Sequence, residues 1–143
     1  ETGLYMMSAD PKVDSFRVDL QKDVSIHDAV WHPNGSQFIV IYGLMPAKTT
    51  MFDLKGNKVV DFPAGHRNTA KFSPHGHLLC IAGFGTLQGE MDFWDPKKLK
   101  KVGACKAPCT TSFTWYRHHH PSSSSFFLHL LSLSFIFIFI HSF

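Results

Sequence analysis

Two stretches of this chain are one pattern written twice, and that repetition limits what it can fold into. The second copy, Gly65 to Asp95, opens on Gly65-His66 and closes on Trp94-Asp95. Between them lie two apolar runs and a Ser73-Pro74-His75-Gly76 turn. The first copy, Ile26 to Gly65, carries Trp31 where the second has Phe72, Pro33 for Pro74 and Gly35 for Gly76, each at a spacing of 41. Phe52-Asp53 answers Trp94-Asp95 at a spacing of 42, with the extra residue falling in loops, where insertions are tolerated.

Within the first copy, His32-Pro33-Asn34-Gly35 reads as a turn: proline fixes one dihedral and Asn-Gly accepts positive φ. Phe38 to Tyr42 is a continuous apolar run, the pattern of a strand covered on both faces. Thr49 to Leu54 and Lys58 to Phe62 follow as strands around a Lys55-Gly56-Asn57 turn. A repeat of about 40–45 residues between Gly-His and Trp-Asp is the mark of a four-stranded propeller blade. The expected fold class is therefore all-β, an incomplete WD40-like β-propeller with about two complete blades and partial ones.

At 143 residues the chain is too short for the four or more blades of a closed ring. The expected division is 1–23 as the end of a preceding blade, 24–65 as one blade, 66–107 as a second and 108–115 as the start of a third. Residues 116–143 form a divergent tail. In the lead-in, Leu4 to Met7 and Phe16 to Leu20 read as short strands around an Asp10-Pro11-Lys12 turn. An open stack leaves an apolar face at each end, which predicts marginal stability or self-association.

The repeat begins a third time and stops. Trp115 stands 43 residues after Phe72, but a histidine run and four serines follow where a turn and an apolar strand belong. Ser122 to Phe143 is almost wholly Ser, Phe, Leu, Ile and His. Pyrimidine-rich codons encode such a composition, so it reads first as a translated intron end or a shifted frame. A hydrophobic anchor is a second reading, although Phe126 to Ile140 falls short of the roughly 20 residues of a spanning helix. A strand from Phe135 to Ile140 is the third, uncharged and high in β-propensity.

The formal charge of +3 permits contact with RNA without demanding it. Three cysteines without a disulfide framework, and no signal peptide at Glu1, point to a reducing, cytoplasmic setting. The absence of Met at position 1 reads as a fragment.

Lys97, Lys98, Lys100, Lys101 and Lys106 form the one dense basic cluster. Such a run either solvates an outer strand and protects its edge, or contacts RNA phosphates by charge without base specificity. No aromatic residues interleave with it, so base stacking has no support. Trp31, Asp53, His66, Phe72, Trp94 and Asp95 are the blade signature, with His66 and Trp94 expected in a hydrogen-bond arrangement that locks the blade. His75 and His77 read as a solvated turn. Cys105, Cys109 and His118 to His120 can be drawn as a zinc site, but chance explains that spacing better. Gly83-Phe84-Gly85 sits between strands with no helix after it, unlike a nucleotide loop. No catalytic group, metal site or cofactor site is expected.

Three segments are more specific than the blade pattern: IHDAVWHPNG from Ile26, YGLMPAKTTMFDLKGNKVVDF from Tyr42, and RNTAKFSPHGHLLCIAGFGTLQGEMDFWD from Arg67. Over about Leu4 to Trp115 they resemble the eukaryotic translation initiation factor 2A family. The Met-Pro-Ala-Lys loop and the Gly83 to Gly89 loop are the distinctive parts. A weaker likeness extends to the propeller of the b subunit of initiation factor three, which lacks these loops. The resemblance implies a cytoplasmic, non-enzymatic binding protein that directs initiator methionyl-tRNA to the small ribosomal subunit. It further implies tRNA, mRNA and other initiation factors as partners, with no small-molecule substrate. A protein-interaction scaffold without RNA contact, or a tail-anchored truncated isoform, are the alternatives.

Overall fold

A computed structural model describes residues 4–6, 12, 15–20, 24–108, 110–117, 126–131 and 136–140, and of 116–117, 126–131 and 136–140 the backbone only. Three antiparallel sheets and a leading hairpin follow one another along the chain. The hairpin pairs β1 (Leu4–Met6) with β2 (Phe16–Val18). The first four-stranded sheet is the meander β3 (Ile26–Trp31), β4 (Gln37–Tyr42), β5 (Lys48–Asp53) and β6 (Lys58–Phe62). The second is β7 (Thr69–Phe72), β8 (Leu79–Gly83), β9 (Glu90–Asp95) and β10 (Lys100–Lys106). The third has β11 (Ser112–Arg117), β12 (Phe126–Leu131) and β13 (Ile136–Ile140).

Period-two alternation stacks these sheets. On β4, Ile39 and Ile41 face the second sheet, whereas Phe38, Val40 and Tyr42 face the leading hairpin. On β8, Leu79 and Ile81 return to the first sheet, and Cys80 and Ala82 face the third. Both strands are therefore apolar at successive positions because both of their faces are covered. The core is a series of layers between sheets, with Met51, Phe62, Phe72 and Trp94 filling the first junction and Phe84, Met91, Phe93 and Phe113 the second. Architecture and alternation together are those of an incomplete β-propeller.

Polar contacts pin one sheet to the next. The Asp28 carboxylate accepts hydrogen bonds from the Thr69 hydroxyl at 2.7 Å and the Ala70 N–H at 3.0 Å. His32 is buried, packs edge-on against Phe72, and its Nε2 lies 3.3 Å from the Gly76 carbonyl. A Cβ at Gly76 would lie 2.3 Å from that imidazole, so glycine is required there both for space and for a φ of +72°. At the second junction the Lys71 ammonium donates to the Phe113 carbonyl at 2.6 Å, and the Trp115 indole donates to the Lys71 carbonyl.

Two expectations differ from the structure. The strand of the third repeat does not end at Trp115: β11 continues to Arg117 and pairs residue for residue with β12, Ser112 opposite Leu131 and Arg117 opposite Phe126. The segment with no repeat signature thus supplies two strands, since uncharged Phe, Leu and Ile runs suit a ladder whatever their turn chemistry. Its final strand coincides with the Phe135 to Ile140 run, and among the described residues no helix is long and apolar enough to cross a membrane. The second difference concerns His66 and Trp94, which share no hydrogen bond. His66 Nδ1 accepts the Ala47 N–H at 3.0 Å, which ties it to the preceding sheet. Trp94 sits at the other end of β9, opposite Leu79, with its ring edge-on to Phe62 and its buried indole N–H without an acceptor.

Candidate functional site

The lysine-rich segment is held by a carboxylate. Asp95 Oδ1 accepts the Lys97 and Lys98 N–H groups, both at 3.0 Å, and this closes the β9–β10 turn on itself. Those two bonds, Lys98 first, hold the Asp95 carboxyl below the usual aspartate range. Leu99 takes a left-handed φ of 53°, and Pro96 is buried beneath the turn. The turn is thereby fixed while the Lys97, Lys98 and Lys100 side chains stand in solvent.

The five lysines are not one patch. The register sets Lys100 opposite Asp95 and Lys106 opposite Glu90, so the strand spreads them over roughly 20 Å. Lys101 pairs with Asp92, whose carboxylate is almost wholly buried. Lys106 donates to Gln88 Oε1 at 2.6 Å and lies 3.8 Å from Glu90. Lys98 makes only a long 3.8 Å approach to Asp95. Lys97, Lys98 and Lys100 are therefore the cations left to meet a polyanion, and Lys101 and Lys106 are engaged within the sheet.

Sequence reasoning missed Lys55. In the first sheet Asp53 accepts the Lys55 and Asn57 N–H groups at 2.8 Å and the Asn57 side chain at 3.0 Å, the same construction one sheet earlier. The Asn57 bonds, followed by that from Lys55, hold the Asp53 carboxyl low as well. Third-to-fourth-strand turns of successive meanders lie at one end of the stack, so exposed Lys55 shares an end with Lys97. The repeated Asp-x-Lys at a spacing of 42 was the available signal. His75 and His77, in the β7–β8 turn, stand at this end too, with ring centres 6.3 Å apart. Of the remaining signature residues, Trp31 stacks obliquely on Phe38, and Phe72 meets His32.

Among the described residues no group of three or more His, Cys, Asp or Glu side chains could hold a metal. Cys109 and His118 to His120 lie outside the described residues. Burial pushes the Cys80 thiol well up and, less strongly, that of Cys105, which keeps both from acting as ready thiolates. The Gly83 to Gly89 loop carries a single 3-10 turn, Gly85–Leu87, with one end fixed by a side chain and the other by backbone. Asn68 receives the Phe84 N–H and donates to the Phe84 carbonyl, and the Ala107 N–H bonds to the Gly89 carbonyl.

Comparison with known proteins gives this arrangement its relatives. The model of the family described as eukaryotic translation initiation factor eIF2A matches residues 1–126. The chain is 46% identical over 115 residues to eukaryotic translation initiation factor 2A of Dictyostelium discoideum, covering 80% of this chain and 18% of that protein. The Drosophila melanogaster protein of the same name is 40% identical over 115 residues, 80% of this chain and 17% of that protein. A crystal structure of a eukaryotic initiation factor superimposes with a TM-score of 0.66 at 25% identity, covering 97% of this chain and 42% of the other. A shorter match, 31% identical over 70 residues, joins 46% of this chain to 10% of the b subunit of eukaryotic translation initiation factor 3 from Xenopus laevis. The chain thus spans less than a fifth of the length of either of these two curated initiation factors. Family model, identity and stacked-sheet architecture agree, and the chain belongs to the eukaryotic translation initiation factor 2A family.

Proposed function

We propose that this chain serves translation initiation by binding rather than by catalysis, within a protein that directs initiator methionyl-tRNA to the small ribosomal subunit in the cytoplasm. Lys97, Lys98 and Lys100 contact RNA phosphates of the ribosome or the tRNA, with Lys55 beside them. The observation that carries this reading is the split among the lysines: in a chain of this family, Lys97 and Lys98 of one hydrogen-bonded turn and Lys100 at the start of β10 have, among the described residues, no carboxylate partner closer than 3.8 Å. A fixed turn presents charge without the ordering cost of a mobile loop, and phosphate contacts need charge rather than base-specific geometry.

The test is co-sedimentation with small ribosomal subunits across a salt series. Replacing Lys97, Lys98 and Lys100 together by Ala should weaken association and lower its dependence on log salt by about two units or more. The pair Lys101→Ala and Lys106→Ala should change that slope by less than half as much. Equal loss in both variants, or none in either, would sink the reading. A protein-interaction scaffold is the second reading, and the shorter match to a component of initiation factor 3 favours it. It expects association that ignores the triple substitution.

A further inference from the structure

The two sheet junctions differ at one repeat position, and the difference leaves a groove. Asp28 pairs across its sheet with Ile41, and Thr69 with Ala82, 41 residues on in each case. Val30 pairs with Ile39, and Lys71 with Cys80, at the same spacing. Thr69 therefore occupies the place of Asp28 in the next sheet, and Lys71 that of Val30. On the receiving side, Ala70 and Phe113 each pack back onto the preceding sheet, which makes Ser112 the counterpart of Thr69.

At the first junction a carboxylate fills this place: Asp28 binds the Thr69 hydroxyl and the adjacent Ala70 N–H. At the second the hydroxyl is kept as Ser112, the carboxylate is replaced by the Thr69 hydroxyl, and a cation is gained as Lys71. An open groove of about 220 Å³ lies there, lined by Asn68, Thr69, Lys71, Phe84, Ser112 and Phe113 among others. Thr69 already spends its hydroxyl proton on Asp28. Lys71 spends one of its three ammonium protons on the Phe113 carbonyl and lies 5.2 Å from the centre of the Phe113 ring.

We propose that this groove binds a carboxylate side chain of an acidic peptide, which takes the place that Asp28 fills at the first junction. Lys71 and the Ser112 hydroxyl hold the carboxylate, and Phe84 and Phe113 flank its aliphatic stem. One ammonium group balances the single charge of a carboxylate and would leave part of a phosphomonoester's charge unpaired. The first junction, moreover, shows this backbone accepting a carboxylate. Asn68, bonded twice to the Phe84 backbone, keeps the wall of the groove in place. The partner is accordingly a protein with an exposed Glu- or Asp-bearing segment, met at a site separate from the lysine-rich turn.

The experiment is fluorescence anisotropy with a labelled, end-blocked Glu-rich hexapeptide on the full chain, beside its Gln-for-Glu version and a labelled oligouridylate. The Glu peptide should bind at least tenfold tighter than the Gln peptide. Lys71→Val should remove most of that difference, and Lys71→Arg should keep it within about threefold. Ser112→Asp, which places an anion inside the groove, should abolish peptide binding with the circular dichroism spectrum unchanged; it decides the matter if Lys71→Val fails to fold. Equal binding of the Glu and Gln peptides, or indifference to Lys71→Val and Ser112→Asp, overturns the proposal. So does an oligouridylate whose binding depends on Lys71 while that of the Glu peptide does not.

Discussion

The Arg67 guanidinium lies 2.9 Å from the Asp92 carboxylate, and the two side chains keep only 12% and 4% of their exposure. The same guanidinium reaches Glu90 at 3.3 Å and donates to the His66 carbonyl at 2.8 Å. His66 in turn accepts the Ala47 N–H of the first sheet. One arginine thereby links β9 to the segment before β7, and through it to the loop between β4 and β5.

Removing that arginine leaves the buried Asp92 carboxylate with Lys101 as its one cationic partner. Arg67→Met should cost about 2–3 kcal/mol, less than the full cost of breaking a buried pair because Lys101 still balances the charge. Lys101→Met, on the more exposed side of Asp92, should cost less than about 1 kcal/mol. Denaturant midpoints of the two variants check the ordering. Replacing Arg67 and Asp92 together by apolar residues should recover much of the loss.

Glycine requirements divide the loops. At Gly89 a Cβ would lie 2.0 Å from the Ala107 carbonyl oxygen, with φ at +67°. Backbone cannot swing aside as a side chain can, so Gly89→Ala should cost about 2–4 kcal/mol. Gly85 has a similar φ of +70° and nothing within 4 Å of the Cβ. Gly85→Ala should cost only the left-handed penalty of about 1–2 kcal/mol. Thermal unfolding of the two single variants separates crowding from backbone strain.

Most of the fold was legible because burial on two faces writes itself as an unbroken apolar run. Phe38 to Tyr42 and Leu79 to Ala82 could be placed without knowing their partners. The cations were legible as a cluster but not as a site: spacing shows that Lys101 and Lys106 lie near Lys97, not that Asp92 and Gln88 hold them. Such cross-strand pairings depend on register, which a bulge between Lys101 and Gly103 shifts by one residue. That His66 bonds to Ala47 while the Trp94 indole stays unbonded was not legible for a related reason. A repeat signature names residues that recur, whereas hydrogen bonds depend on which end of the sheet each residue occupies. The tail was illegible as structure because after Pro121 it has none of the Gly, Asn and Pro turn signals that punctuate the earlier strands.

Two turn carboxylates make the chain sensitive to acid. Asp53 and Asp95 have their pKa values lowered in the folded chain, chiefly by Asn57 and by the Lys98 N–H respectively. A depressed carboxylate contributes stability above its unfolded pKa and loses it as pH falls through the folded value. The midpoint temperature should therefore fall below about pH 4, near the ordinary aspartate value. Asp53→Asn and Asp95→Asn should each lower it at pH 7 and flatten that fall. Melting curves from pH 3 to 7 give the comparison, and parallel curves for parent and variants would count against these turns.

The link from Asp28 to Thr69 and Ala70 crosses the first junction, so its loss should loosen the sheets from one another. Hydrogen bonds to a charged group are worth about 1.5–3 kcal/mol, and Asp28→Ala should cost that much. Thr69→Val removes one donor and leaves the Ala70 N–H in place, so its cost should be smaller. Because both substitutions delete the same hydroxyl–carboxylate bond, the double variant should be less destabilised than the sum, by about 1 kcal/mol. Strict additivity in the denaturant midpoints would mean that this bond does not hold the junction. Hydrogen exchange adds a direct reading, since the Ala70 amide should exchange faster in Asp28→Ala and remain protected in Thr69→Val.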